Sequence, residues 1–222
     1  MTVLNALLYA KEHFDHSIAI RYSCRMASCG SCGMEINGIP RLACYTQITE
    51  LPNAAITVGP LGHYPLVRDL VTNFTGFFEK HRSVSPFILR SDQGIAGTPA
   101  SEYAQSPKEL EEFLQFSYCI KCGLCNAACP TLANDSKFMG PQALGQAYRY
   151  ISDSRDQGVL QRLAAIDNKH GIWRCHFAGS CSFVCPKGVD PALAIQKLRL
   201  LTMAKPGAPR AGTKLMPPLI SK

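Results

Sequence analysis

Eleven cysteines are the residues of this 222-residue chain whose number and spacing could support chemistry. An odd number of thiols cannot pair completely as disulfides, and a reducing compartment would not keep such pairs. The cysteines also cluster at intervals typical of metal ligands. They form three groups: Cys24, Cys29, Cys32 and Cys44; then Cys119, Cys122, Cys125 and Cys129; then Cys175, Cys181 and Cys185. The sequence therefore predicts a protein that binds metal cofactors.

The first group follows the pattern C-x4-C-x2-C with a nearby fourth cysteine, as in "CRMASCGSC" followed by "LAC". This is the arrangement of plant-type ferredoxins, which bind a [2Fe-2S] cluster. Gly30 and Gly33 can adopt positive φ and turn backbone amides toward the sulfurs. A structural zinc ion also accepts four thiolates and is the alternative. The four-residue loop and its glycines favour the iron–sulfur cluster.

A two-residue turn at Asn37-Gly38 explains how the fourth cysteine of this group reaches the other three. Asn-Gly between alternating apolar residues is a strong signal for a β-hairpin. The register of that hairpin places Cys32 opposite Ala43, so Cys44 lies one residue beyond the partner of Cys32. We therefore expect Cys44 to complete the site.

The second group, "CIKCGLCNAACP", has the spacing C-x2-C-x2-C-x3-C-P that binds a [4Fe-4S] cluster. In ferredoxins with two such runs, the fourth cysteine of each run binds the other cluster. The third group, "CHFAGSCSFVCPKG", repeats this pattern, but Ala178 stands at the second cysteine position.

This exchange divides the remaining seven cysteines between two clusters. A [4Fe-4S] cluster receives Cys119, Cys122, Cys125 and Cys185. A [3Fe-4S] cluster, one iron short because Ala178 has no thiol, receives Cys129, Cys175 and Cys181. A degraded site is the first alternative, but every other position of the run is intact. The second alternative is a fourth iron held by water or by His176, which neighbours Cys175 rather than the alanine position.

Charge and hydropathy exclude several other classes of protein. The formal charge is +7, but Lys and Arg are scattered and no basic helix alternates with aromatic residues, so we expect no binding to nucleic acid. No apolar run reaches the 18 residues of a membrane span. The N-terminal stretch lacks the basic start and cleavage site of a secretory signal. We expect a protein of the cytoplasm or of an organelle matrix.

Four segments organise the chain. Residues 1–82 form a mixed α and β unit, 83–106 a linker, 107–203 a helical unit, and 204–222 a basic, proline-rich tail. In the first unit, "AITVGP" predicts a short strand. The apolar residues of 65–82 recur at helical spacing and predict one long helix whose core stripe is Val67, Leu70, Val71, Phe74, Phe77 and Phe78.

Capping signals mark the helix starts of the second unit. Ser106 with Glu109 and Ser154 with Gln157 have the spacing of capping boxes. Two further helices are expected to begin at the prolines of Gly140-Pro141 and Asp190-Pro191. The cysteine runs therefore lie in loops that lead into helices.

Together these motifs resemble the iron–sulfur subunit of the succinate dehydrogenase and fumarate reductase family, respiratory complex II. The resemblance covers nearly the whole chain and includes "CRMASCGSCGMEINGIPRLAC", "PLVRDL", "CIKCGLCNAACP" and "GIWRCHFAGSCSFVCPKGVDPALAIQ". It implies an α+β fold, with an N-terminal β-grasp [2Fe-2S] ferredoxin domain and a C-terminal all-α ferredoxin-like domain carrying the two cubane-type clusters. Electrons would pass between the FAD of a flavoprotein subunit and a quinone. Membrane-anchor subunits, with or without haem b, would hold the protein on the cytoplasmic face of the cell membrane or on the matrix face of the inner mitochondrial membrane.

The resemblance also implies a quinone site beside the [3Fe-4S] cluster. By motif position its residues are Pro130, Thr131, His176, Gln196 and Arg199. Many ubiquinone-using members have a tryptophan shortly after the proline, where this chain has "TLAND". Gln196 matches a residue near the menaquinone of fumarate reductases, and Arg199 replaces a family lysine. These features favour menaquinone.

Two further expectations follow from the resemblance. Family members carry about thirty residues before "TVLNAL", forming the first hairpin of the β-grasp sheet. We expect either that the start codon was assigned too far downstream or that another chain covers this edge, and we favour the former. Succinate oxidation is the commoner role, so we expect that direction, with fumarate reduction as the alternative. A free ferredoxin-like carrier and a subunit of the glycolate-oxidase or glycerol-3-phosphate-dehydrogenase type are the less favoured hypotheses.

Overall fold

A computed structural model describes residues 1–52, 55–91, 102–204 and 215–216 of the protein. The N-terminal part combines two helices with short antiparallel strands. Its elements in chain order are α1 (Val3–His13), β1 (Gly33–Ile36), β2 (Ile39–Leu42), a 3-10 turn (Ile48–Glu50), β3 (Val58–Gly59), β4 (Leu66–Arg68), β5 (Val71–Thr72) and α2 (Thr75–Ser83). The α+β class is therefore confirmed.

The sheet of the N-terminal part has the order β2-β1-β3, and both pairings are antiparallel. Asn37 and Gly38 both have positive φ, 50° and 75°, as a type I′ turn requires. The turn produces the expected register, since the Ala43 amide donates to the Cys32 carbonyl at 3.1 Å. Alternate strand residues, such as Met34 on β1, face a core that α1 covers with Val3 and Leu4.

The prediction of one helix over 65–82 is wrong for the first half of that segment. Residues 66–72 form the β4–β5 hairpin, and the helix begins only at Thr75. Asp69 adopts φ 46° at the turn, and its carboxylate accepts the Ala19 amide at 2.7 Å. Asn73 accepts the Thr75 amide at 2.8 Å and starts the helix. These polar contacts override the apolar period, and Val67 is 63% exposed rather than in the core.

The C-terminal part is helical. Its helices are α3 (Pro107–Glu111), α4 (Leu114–Ser117), α5 (Leu124–Ala127), α6 (Pro130–Asn134), α7 (Pro141–Ile151), α8 (Val159–Ile166), a 3-10 turn (Ile172–Arg174), α9 (Ser180–Phe183) and α10 (Pro191–Met203). Strands β6 (Glu102–Tyr103) and β7 (Leu215–Met216) pair beside it. Within the described ranges, no helix combines the length and the apolar character that crossing a membrane requires.

Three of the four predicted helix starts are confirmed. Ser106 and Glu109 form a complete capping box, and α7 and α10 begin at Pro141 and Pro191. The box at Ser154 is wrong: α8 begins at Val159, and the Asp156 carboxylate accepts the Gly158 amide at 2.7 Å instead. Asp156 also forms a buried ion pair with Arg162.

Helix α7 lies at the centre of the C-terminal core and packs against α10, α4, α8 and α2. The buried Arg162 of α8 ties part of the predicted linker to this core. Its guanidinium bonds Asp156 at 2.6 Å and donates to the carbonyls of Ser85 and Phe87. Residues 92–101 of the linker and most of the tail lie outside the described residues.

Candidate metal centres

The first cysteine group gathers around a loop whose backbone amides point at sulfur. The Cys24 sulfur accepts the amides of Ser28 and Cys29 at 3.3 and 3.2 Å. The Ala27 amide donates to the Cys44 sulfur at 3.3 Å, which joins Cys44 to the loop as expected. Gly30 has φ 76°, as expected, whereas Gly33 does not have positive φ.

The thiols of this group differ in burial and in pKa. Hydrogen bonding, chiefly from the Ser31 hydroxyl, lowers the pKa of the exposed Cys29 to about 6. Burial raises the pKa of Cys32 to about 12. The amides and hydroxyl supply positive partial charge at the sulfurs, as thiolate ligands require.

A second set of cysteines surrounds one cavity in the C-terminal part, which is called the second cavity after this set. Its sulfur residues are Cys119, Cys122, Cys125 and Cys185. Gly123, with φ 80°, turns the chain between two of them, and its carbonyl accepts the Tyr64 hydroxyl at 2.9 Å. The first turn of α7 closes the cavity with Pro141 and Gln142. Burial raises the pKa of Cys122 to about 12, and burial also raises the pKa of Cys125 well above its usual value.

A separate cavity, called the third cavity because it holds the third set of cysteines, contains the remaining sulfur residues, Cys129, Cys175 and Cys181. Ala178 lines the same cavity. Burial raises the pKa of Cys129. The Leu132 and Thr131 amides and the Thr131 hydroxyl lower this pKa and partly offset the effect of burial. Burial also raises the pKa of Cys181, to about 11.

The two cavities bring together cysteines from both C-x2-C runs. Cys185, from the last run, lies with the first three cysteines of the earlier run, and Cys129 lies with the last run. This is the exchanged grouping that the sequence predicts. Among the described residues, no three His, Cys, Asp or Glu side chains are arranged to hold a single metal ion.

Comparison with known proteins identifies both halves of the chain. Residues 1–79 match the family model of a 2Fe-2S iron–sulfur cluster binding domain, and residues 115–189 match that of a 4Fe-4S dicluster domain. The fumarate reductase iron–sulfur subunit of Mycobacterium tuberculosis is 46% identical over 198 residues, which are 89% of this chain and 79% of that protein.

The chain belongs to the succinate dehydrogenase and fumarate reductase iron–sulfur subunit family. The Haemophilus influenzae fumarate reductase iron–sulfur subunit is 42% identical and covers 88% of this chain and 79% of its own length. A rice mitochondrial succinate dehydrogenase [ubiquinone] iron–sulfur subunit is 40% identical, over 90% of this chain and 64% of its own. Among solved structures, the Mycobacterium smegmatis Sdh1 complex in the apo form matches with a TM-score of 0.80 and 26% identity, over 93% of this chain and 87% of that chain.

Membership in this family confirms the resemblance seen in the sequence and the oxidoreductase class. It also confirms the order of a [2Fe-2S] domain before a 4Fe-4S dicluster domain. The donor sets of this iron–sulfur subunit fit clusters, because soft thiolates are the ligands that iron–sulfur clusters take and each set has nearby hydrogen-bond donors.

Of the five residues expected at a quinone site, two line the third cavity and three do not. Pro130 and Thr131 line it, and Thr131 is buried and lowers the pKa of Cys129 through its amide and hydroxyl. His176 is exposed. Gln196 is half-buried, and its amide nitrogen has no hydrogen-bond partner among the described residues. Arg199 donates to the carbonyls of Ile172 and Cys175, at 3.1 and 2.6 Å, and so holds the backbone before the cavity.

Sequence reasoning missed two polar residues at the second cavity. The Tyr64 hydroxyl, from the N-terminal part, donates to the carbonyl of Gly123, which lines the cavity, and Gln142 lines it from α7. The sequence carried a signal for the second, since Gln142 and Gln146 are polar residues four apart and therefore on one face of the helix. No local pattern marks Tyr64, because its partner Gly123 is distant in sequence.

Proposed function

We propose that this iron–sulfur subunit carries single electrons between the FAD of a flavoprotein subunit and a membrane quinone. The [2Fe-2S] cluster is bound by Cys24, Cys29, Cys32 and Cys44. The [4Fe-4S] cluster is bound by Cys119, Cys122, Cys125 and Cys185, and the [3Fe-4S] cluster by Cys129, Cys175 and Cys181. When bound, such clusters accept and release one electron at a time. The observation that carries the proposal is a pair of neighbouring cavities, one with four cysteines and one with three cysteines and Ala178.

Residues of this chain place the three cysteine sites one after another in space. Gly30 of the first loop lies against Cys122 of the second site. Pro141 lines both the second and the third cavities. Each site is therefore separated from the next by one layer of side chains or backbone. This arrangement supports transfer along a single route from the N-terminal domain to the far side of the helical domain.

The surface around the third cavity supports contact with membrane-anchor subunits. Large apolar side chains are exposed there, including Trp173 at 43% and Phe177 at 56%. Clustered exposed apolar surface is typical of an interaction site. The quinone, for which menaquinone is favoured, is proposed to bind at Pro130, Thr131, His176, Gln196 and Arg199. Thr131 and Arg199 act there indirectly, Thr131 through Cys129 and Arg199 through the Cys175 carbonyl.

The proposed domains are residues 1–82 for the [2Fe-2S] domain and 107–203 for the dicluster domain, joined by the linker 83–106 and followed by the tail 204–222. The proposed direction is succinate oxidation, and the proposed location is the cytoplasmic face of the cell membrane or the matrix face of the inner mitochondrial membrane. Fumarate reduction is the second candidate, favoured by the names of the bacterial relatives at 42% and 46% identity.

Purification of the native complex tests this proposal. We expect a flavoprotein and hydrophobic anchor chains to co-purify, with about nine irons per copy of this chain. EPR should show a reduced [2Fe-2S] signal and an oxidised [3Fe-4S] signal. Substantially less iron, or zinc in its place, contradicts the proposal. The ratio of succinate oxidation to fumarate reduction with low- and high-potential quinones decides the direction.

A further inference from the structure

Lys121 borders two cavities that contain cysteines. It lines the second cavity, and it also lines a neighbouring cavity of about 190 Å³ that contains Cys29 and Gly30 of the first cysteine loop. We call this neighbour the interdomain cavity, because Lys121 comes from the C-terminal part and its other described lining residues come from the N-terminal part. No other described residue lines both cavities. Lys121 therefore lies between the first two sets of cysteines.

The ammonium group of Lys121 lies close to the backbone of the second set. Its Nζ is 3.5 Å from the carbonyl oxygen of Cys119, two residues earlier in the chain. A lysine ammonium carries a full positive charge. The side chain is exposed, so salt in the solvent screens that charge in part. The charge nevertheless lies at the boundary of both cavities.

The walls of the two cavities contain no carboxylate that could neutralise this charge. Among the described lining residues, the second cavity has one further cation, Lys187, and the interdomain cavity has Arg21. Neither lining includes Asp or Glu. The Arg21 guanidinium donates to the Thr72 carbonyl at 3.3 Å. Lys121 thus adds positive charge to both sites.

The third cysteine run has an apolar residue at the equivalent position. Phe177 follows Cys175 by two residues, and its φ of 57° matches the 55° of Lys121. Phe177 lines the third cavity, whose described lining contains no Lys, Arg, Asp or Glu. A charge at this position of the turn is therefore present for the first two sites and absent for the third.

We propose that the charge of Lys121 raises the midpoint potentials of the [2Fe-2S] and [4Fe-4S] clusters together. A cluster becomes more negative by one charge when it accepts an electron, and a nearby positive charge stabilises that reduced state. This inference rests on the proposed assignment of these clusters to the first two sets of cysteines. Because one residue acts on both, Lys121 favours entry of electrons into the first two sites with little effect on the difference between their potentials.

The test is an EPR-monitored redox titration of the membrane-bound complex carrying Lys121→Met. Methionine has a long side chain without a charge. Both potentials should be more negative than in the wild type, with the [3Fe-4S] potential unchanged. The shift should decrease as the ionic strength is raised, because salt screens an exposed charge. Lys121→Arg, which keeps the charge, should retain the wild-type potentials.

Three matched variants separate the effects of the two cavities. Lys187 lines the second cavity but not the interdomain cavity, so Lys187→Met should shift only the [4Fe-4S] potential. Arg21 lines only the interdomain cavity of the two, so Arg21→Met should shift only the [2Fe-2S] potential. Lys108 is exposed and lines neither, so Lys108→Met should shift neither potential.

The inference is overturned if Lys121→Met shifts only one of the two potentials or neither. It is also overturned if Lys121→Arg or Lys108→Met gives the same shifts, or if Lys187→Met shifts both potentials equally. Absence of a [2Fe-2S] or [4Fe-4S] signal in the wild type contradicts the proposed function instead. If Lys121→Met does not assemble, Lys121→Gln takes its place, with the same expected and contradicting results.

Discussion

Gly30 lies directly against Cys122, so that a Cβ atom at Gly30 would be 2.7 Å from the Cβ of Cys122 and 2.9 Å from its Cα. Real Cβ atoms essentially never approach other heavy atoms so closely. The first cysteine loop and the second cysteine run therefore meet at a distance that only glycine permits. This contact joins the two domains where an electron would cross between them.

Gly30→Ala should separate the first two sites and weaken their electronic coupling. Gly30 also has φ 76°, a conformation that costs an alanine about 1–2 kcal/mol. We expect slower reduction of the [4Fe-4S] site in freeze-quench EPR. Gly38→Ala is the matched control, because Gly38 has φ 75° but nothing within 4 Å of an added Cβ. Equal rates in the two variants would show that backbone strain, not the contact, is responsible.

Ala178→Cys should supply the thiolate that the third cavity lacks. The iron content should rise by about one per chain, and the oxidised [3Fe-4S] EPR signal should disappear. Iron analysis and EPR measure both effects. Ala133→Cys, at an exposed position of α6 outside the cavity, is the control and should change neither. A persistent [3Fe-4S] signal in Ala178→Cys would mean that the alanine is not at the empty corner.

The exchanged ligands predict an unusual result for two serine substitutions. Cys185→Ser should remove the [4Fe-4S] signal, although Cys185 is only four residues from Cys181 of the third cavity. Cys129→Ser should impair the [3Fe-4S] site, although Cys129 is four residues from Cys125. EPR of each variant distinguishes the clusters. If Cys185→Ser instead removed the [3Fe-4S] signal and Cys129→Ser removed the [4Fe-4S] signal, each cysteine run would bind its own cluster without exchange.

Arg162→Met should destabilise the protein strongly. Arg162 and Asp156 are both fully buried, with their side chains 2.6 Å apart. Removing one partner leaves a buried charge without compensation, which costs about 3–5 kcal/mol. It also removes the Arg162 donor from the Phe87 carbonyl and from the Ser85 carbonyl, which keeps the Phe87 amide as a donor. Thermal unfolding should show a large decrease in midpoint temperature.

Glu112→Gln is the control for that experiment. Glu112 and Lys197 form an exposed pair at 4.0 Å, and such pairs contribute about 0–1 kcal/mol. We expect almost no change in unfolding. If the midpoint temperature of unfolding decreased as little in Arg162→Met as in Glu112→Gln, a structural role for the buried pair would be contradicted.

Asp135 joins the segment after Cys129 to the segment before Cys175, and Asp135→Asn should loosen the third cavity. Hydrogen bonding from His170, followed by Arg174, lowers the pKa of Asp135 to about 2. The unfolded value is about 3.9, so the stabilisation is fully present above that value and is lost as the pH falls toward 2. At neutral pH, heating should therefore remove the [3Fe-4S] signal earlier in the variant than in the wild type. The [2Fe-2S] signal should be lost at the same temperature in both, and a parallel loss of both signals would contradict a local role.

Short-range patterns predicted the local structure correctly where backbone chemistry decided it. The Asn37-Gly38 turn set the hairpin register, and prolines at 141 and 191 began their helices, because turn and cap preferences depend on a few neighbouring residues. Apolar period alone was insufficient over 66–72. There the Asp69 carboxylate bonds Ala19, a partner fifty residues away in the chain, and a hairpin forms instead of a helix.

The sequence by itself determined which residues could bind clusters, since cysteine spacing restricts which sulfurs a loop can bring together. Tertiary structure alone decided the surroundings of those sulfurs. The approach of Gly30 to Cys122, the Tyr64 hydroxyl on the Gly123 carbonyl and the His81–Gln142 pair all join distant segments. Such contacts depend on how α2 and the first loop pack against α5 and α7, and packing of distant surfaces leaves no periodic signal in the chain.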